Sequence, residues 1–166
     1  FLPFAKALAA GRFASLRKLT VTGLTGDFSQ FSWSLPAATE IELSVESGTA
    51  EGAFCAPEIF APRLQRLMIP ESNNNTSARL TRLLDNLPDN QLVSLVIISE
   101  WPRVEVVNAD RAAVPRLLEA LARQASSLTA LRTLDWVQLS PALLAPLPQF
   151  AALEEIYANI PVGLIA

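Results

Sequence analysis

Hydrophobic and polar positions along this chain fall into one short phrase that keeps returning: apolar, two residues, apolar, one residue, apolar. It reads Leu16-Arg-Lys-Leu19-Thr-Val21, Ala38-Thr-Glu-Ile41-Glu-Leu43 and Leu64-Gln-Arg-Leu67-Met-Ile69. It continues as Leu92-Val-Ser-Leu95-Val-Ile97, Leu131-Arg-Thr-Leu134-Asp-Trp136 and Leu153-Glu-Glu-Ile156-Tyr-Ala158. The fourth and sixth positions are two apart, the period of a strand, so each phrase predicts a short strand with both side chains on one face. The first position sits where the strand begins and turns inward with them.

Between the phrases the period changes. Residues 77–87 carry Leu80, Leu83, Leu84 and Leu87 at helical spacing, with Ser77 as the N-cap. Residues 111–126 carry the stripe Ala113, Leu117, Leu118, Leu121 and Ala122, and Pro115 fits if that helix begins near Val114. Residues 4–13 predict a leading helix, and 142–145 a short one stopped by Pro146 and Pro148. Residues 71–77 and Leu87-Pro-Asp-Asn90 read as loops, and 101–107 as an extra strand or an ordered loop. Strand and helix thus alternate, which makes an α/β chain. One unit cannot cover both its faces, so stacked units supply the missing surface. Parallel strands then line the concave side, with helices and loops on the convex side. The fourth positions, Leu19, Ile41, Leu67, Leu95, Leu134 and Ile156, stand 22, 26, 28, 39 and 22 residues apart, and the long interval predicts an insertion near 99–112.

A chain of 166 residues fits one domain with a real core. Hydrophobic residues are 51% and charged ones 17%, which argues against disorder. No apolar run reaches the roughly 18 residues needed to span a bilayer. Net charge is −3, from 13 basic and 16 acidic residues, so the concentrated basic surface that nucleic acid requires is missing. Cys55 is the single cysteine and has no internal partner for a disulfide, which favours a reducing, cytoplasmic compartment. Phe1 at the start and the apolar Val162-Gly-Leu-Ile-Ala166 at the end lead to the expectation that 1–166 is one repeat domain within a longer chain.

Without histidine there is no Ser-His-Asp or Cys-His catalytic set and no histidine zinc site. Gly23-Leu-Thr-Gly26 lacks the spacing and the lysine of a phosphate loop. Glu40 with Glu42, and Glu154 with Glu155, read as solvated strand charges, and Cys55 as a buried structural thiol. No catalytic residue, metal ligand or cofactor is expected.

The six phrases resemble leucine-rich repeat proteins of the irregular kind, over about residues 16–160. Four of the five intervals fall in that family's window of roughly 20 to 29 residues. Three residues after the sixth position the family usually carries Asn or Cys; here stand Leu24, Glu46, Ser72, Glu100, Leu139 and Pro161. That departure, with Leu35-Pro-Ala-Ala-Thr-Glu-Ile-Glu-Leu43 and Ala61-Pro-Arg-Leu-Gln-Arg-Leu67, is similar to the substrate-binding repeats of F-box proteins, fungal ones in particular. No F-box segment is visible, and the adaptor role of those proteins is not carried over. The resemblance implies a solenoid whose third, fifth and seventh phrase positions face the concave surface. Among those positions Arg66, Met68, Val96, Ile98, Asp135 and Tyr157 form the expected partner-binding set, with Trp101 as an exposed anchor. An apolar centre with a polar rim is the composition of a protein-binding patch. The expected function is a non-catalytic module that binds a protein partner. The alternatives are a structural subunit or internal segment of a larger assembly, and a carboxylate-dependent enzyme using Glu40 and Glu42.

Overall fold

The computed structural model describes residues 2–24, 26–45, 54–70, 76–98, 114–134 and 149–158. In chain order the elements are α1 (Leu2–Ala9), β1 (Lys18–Leu24), β2 (Gly26–Asp27), β3 (Ser32–Ser34), β4 (Glu40–Val45), β5 (Phe54–Cys55), β6 (Glu58–Phe60) and β7 (Arg66–Pro70). They continue with α2 (Thr76–Asp85), β8 (Ser94–Ile98), α3 (Val114–Ala122), β9 (Ala130–Leu134) and β10 (Glu155–Ala158).

Six strands form one sheet in the order β1-β4-β7-β8-β9-β10, which is also their order in the chain. Every neighbouring pair is parallel. The register joins Leu19, Ile41, Leu67, Leu95, Leu131 and Ile156 in one row. Five of these six are the expected fourth positions. The fifth phrase is corrected by three residues, because β9 pairs through Leu131 and not Leu134. Leu128, Leu131 and Leu134 are spaced by three, so the phrase can be read in two registers. The one adopted buries Leu128 and Leu131.

The inward positions behave as a core. Ala38, Leu64, Leu92 and Leu128 are buried at the strand starts, and Val21, Leu43, Ile69 and Ile97 two residues beyond the central row. Ile156 is the exception, at 48% exposed on the outermost strand.

Behind the sheet the first two units depart from the expected helices and turns. They return through strands, β2 pairing with β5 and β3 with β6, both parallel. Ser32-Trp33-Ser34 and Glu58-Ile59-Phe60 alternate in burial, with Trp33 and Ile59 buried between exposed or half-buried neighbours. Phe28 packs against Trp33, ring centroids 6.4 Å apart. In the later units α2 and α3 take this place, packed on each other. Leu80, Leu83, Leu84, Leu117 and Leu121 face the core, while Leu118 and Ala122 are half-buried. α3 does begin at Val114, with Pro115 in the first turn where no N–H is needed. α2 begins at Thr76, so Ser77 lies inside the helix and does not cap it. α1 ends at Ala9, short of the expected residue 13. The expected elements at 101–107 and 142–145 lie outside the described residues.

β1 contains a bulge: Val21 faces Leu43 but Leu24 faces Val45, one residue extra on β1. Gly23 absorbs it with φ +68°, where a side chain is strained though the surrounding space is open.

At the foot of each strand one carbonyl accepts two N–H groups from the next unit. Arg17 O accepts from Thr39 at 2.8 Å and Glu40 at 3.1 Å, and Thr39 O from Gln65 and Arg66. The pattern continues from Gln65 O to Val93 and Ser94, from Val93 O to Thr129 and Ala130, and from Thr129 O to Glu154 and Glu155. Two glutamines add a second tie. Gln91 Nε2 donates to Pro62 O at 2.8 Å and Leu64 O at 3.1 Å. Gln124 is 0% exposed; its Oε1 accepts from the Gln91 and Leu92 N–H groups, and its Nε2 donates to Pro88 O at 3.0 Å. These glutamines tie each loop to the one before it.

Gln124→Leu keeps the volume but strands two donors and an acceptor, and should lower stability by about 1–3 kcal/mol in urea unfolding. Wild-type stability would mean that those groups find other partners. Gly23→Ala should cost about 1–2 kcal/mol in the same assay, with no loss of secondary structure by circular dichroism.

Candidate functional site

The face of the sheet opposite the core carries the alternate positions of each strand. β1 contributes Lys18 and Thr20, β4 Glu40 and Glu42, β7 Arg66 and Met68, β8 Ser94 and Val96, and β9 Ala130 and Arg132. The register sets Arg66 opposite Ser94, Met68 opposite Val96, and Val96 opposite Arg132. Met68 and Val96 are half-buried neighbours at the centre.

Charge is paired toward both ends of this face. Lys18 Nζ donates to Glu40 Oε1 at 2.6 Å, and Thr20 Oγ1 to Glu42 Oε2 at 3.4 Å. The hydrogen bond to Glu40, then its charge, hold the Lys18 ammonium above its ordinary pKa. At the far end Arg132 donates to Glu155 Oε2 from Nη2 at 2.5 Å and from Nε at 3.2 Å. Both pairs are exposed and therefore contribute little to stability. Arg66 is exposed beside Met68 and has no ion pair among the described residues.

Of the expected partner-binding residues, Arg66, Met68 and Val96 come together here. Ile98 ends β8 opposite Pro70, and Tyr157 stands in β10 opposite Arg132; their side chains lie outside the described residues. Trp101 and Asp135 lie outside them altogether. In the β9 register the place between Val96 and Tyr157 belongs to Arg132. Arg132 went unrecognised, although a Glu-Glu pair in the next phrase offered it a partner.

Other chemistry is muted. Glu40 and Glu42 are engaged by Lys18 and Thr20. Cys55 and Asp27 sit opposite each other in the β2–β5 pair. Ser29 donates its N–H to Asp27 Oδ1 at 2.7 Å, and this region's hydrogen bonds, with help from the Cys55 thiol and the Arg79 charge, hold the Asp27 carboxyl below its usual range. Burial, then the Asp27 charge, push the Cys55 thiol up. It is only half-buried, yet stays protonated and weakly nucleophilic at neutral pH. Trp33 is a fully buried core residue. An open groove of about 500 Å³ runs between α2 and α3, lined by Thr81, Asp85, Arg116, Glu119, Ala120 and Arg123. The Arg123–Asp85 ion pair at 2.5 Å spans it. Among the described residues no group of three His, Cys, Asp or Glu is placed to hold a metal ion, and no helix is long and apolar enough to cross a membrane.

No family model, curated protein or solved structure matches this chain.

The raised Cys55 pKa predicts alkylation slower than that of a free thiol at pH 8, with the pH midpoint of the rate displaced upward. Asp27→Asn removes a negative charge and should bring that midpoint part of the way down. A midpoint at or below that of free cysteine would contradict this environment.

Proposed function

We propose that this chain is a non-catalytic binding module, an irregular leucine-rich-repeat-like solenoid that receives a protein partner on a concave sheet face. The chain-order parallel sheet supports the architecture, with β3, β6, α2 and α3 behind it. One observation carries the function: the contiguous Met68 and Val96 stand between the Lys18–Glu40 and Arg132–Glu155 pairs, with Arg66, which has no ion pair among the described residues, beside them. Apolar side chains at the centre gain from losing water on contact, while rim charges stay solvated and set orientation. Arg66 presents a planar fork of donors suited to a carboxylate of the partner. The likeness of the phrases to the substrate-binding repeats of F-box proteins makes a protein the matching class of partner. The reading includes a cytoplasmic setting and no cofactor.

A second reading, a structural subunit of a larger assembly, is favoured by Phe60 and Ile156, large apolar side chains at 44% and 48% exposed. A permanent companion would cover both.

Met68→Ala and Val96→Ala should each reduce retention of a co-purifying protein about tenfold, with unchanged circular dichroism. Arg116→Ala, in the helical groove, should leave retention unaltered. If both apolar truncations retain the partner at the wild-type level, the sheet face is not where it binds.

A further inference from the structure

We infer that the partner meets this sheet face with an extended acidic segment, setting a carboxylate on Arg66 and an apolar side chain, two residues along, on Met68 and Val96. The inference rests on the protein-binding reading above and names the chemistry of the partner. Arg66 and Met68 stand two apart on β7, on either side of the buried Leu67, so their side chains share one face about 6.7 Å apart along the strand. An extended segment repeats the side chains of one of its own faces at the same spacing. One strand over, Val96 lies opposite Met68 and widens the apolar floor.

Charge favours an acid at the first of these places. Glu40, the neighbour of Arg66 on β4, already holds the Lys18 ammonium at 2.6 Å, and Ser94 on the other side brings no charge. The Glu40 hydrogen bond and charge raise the Lys18 pKa while the Arg66 charge works against them, so both cations belong to one patch. Arg17, immediately before β1, and Arg63, just ahead of β7, are exposed as well. None of Arg17, Arg63 and Arg66 has an ion pair among the described residues. Cations therefore outnumber Glu40 and Glu42 at this end of the sheet, in a chain whose net charge is −3. A guanidinium holds a carboxylate through two parallel N–H donors, and apolar contact beside the pair thins the water that weakens it. A phosphate polymer matches less well: its evenly spaced charges meet Glu40 and Glu42 beside Arg66 and Met68, and gain nothing from the apolar floor.

Fluorescence anisotropy of labelled peptides, titrated with the whole chain, tests this. The peptide Glu-Ser-Leu-Ser-Glu-Ser-Leu-Ser carries acid and leucine on one face when extended, and its counterpart has Lys for each Glu. The acidic peptide should bind at least about tenfold tighter and lose that margin as salt is added. Arg66→Glu should invert the order of the two peptides, and Met68→Ala should weaken both. Arg116→Glu, the same charge reversal in the helical groove, should keep the wild-type order. Circular dichroism checks the fold of each variant. Equal binding of the two peptides, lost in Met68→Ala, overturns the acidic segment while leaving the sheet face as the docking site. Failure of both peptides overturns it too, and retention of the co-purifying protein, lost in Met68→Ala, then confines the failure to the segment. An Arg66→Glu variant with the wild-type preference, or tighter binding of an oligothymidylate than of the acidic peptide, also overturns it.

Discussion

The sheet depends on one constraint: the carbonyl at the foot of each strand must face two N–H groups of the next. Once Arg17 O holds Thr39 and Glu40, the register of β4 on β1 is set, and the same step repeats to β10. Side chains alternate along a strand, so a slip of one residue would turn the leucines to water and the charges to the core. Magnitudes divide the labour. Burying a leucine contributes about 1.5–3 kcal/mol, whereas a backbone hydrogen bond nets about 1 kcal/mol. The aliphatic column supplies most of the stability. The ladder chooses which residues belong to it, and so decides what the opposite face presents.

The layer behind the sheet changes character along the chain. It is built of short strands behind β1 and β4, and of helices behind β7 and β8. α2 packs directly beside β6, where the two kinds of backbone meet. A helix is wider and rounder than a strand and cannot continue its hydrogen bonds. The junction is bridged by side chains: Arg82 Nε approaches Glu58 Oε1 at 3.8 Å, and Phe60 is left 44% exposed. Glutamines do the matching work in the helical part. Gln124 satisfies three backbone groups of the preceding loop at once, a task that a buried apolar residue cannot perform.

Electrostatics on the sheet face follow from neighbour relations between units that are distant in sequence. Lys18 meets Glu40 because parallel pairing sets them directly opposite, and Arg132, opposite Tyr157, reaches Glu155 diagonally. Arg66 stands where its neighbours offer Ser94 on one side and a Glu40 already held by Lys18 on the other. The Arg66 cation beside Met68 and Val96, without an ion pair among the described residues, is thus a product of register.

Local pattern alone determined the strands β1, β4, β7, β8 and β10, the inward leucines and isoleucines, the stripes of α2 and α3, and the alternating face that holds Arg66, Met68 and Val96. These are period-two and period-3.6 signals, and the chain carries them within a few residues. Tertiary structure decided the rest. β9 chose Leu128 and Leu131 over Leu134, because a spacing of three fits two registers and only its neighbour Leu95 could select one. β2, β3, β5 and β6 are too short to announce themselves and exist because each finds a parallel partner a unit away. Gln124 falls inside the expected helix 111–126, whereas α3 ends at Ala122 and the Gln124 side chain bonds the Pro88–Leu92 backbone. Periodicity is local, whereas pairing joins residues more than twenty positions apart, and only the folded chain brings those together.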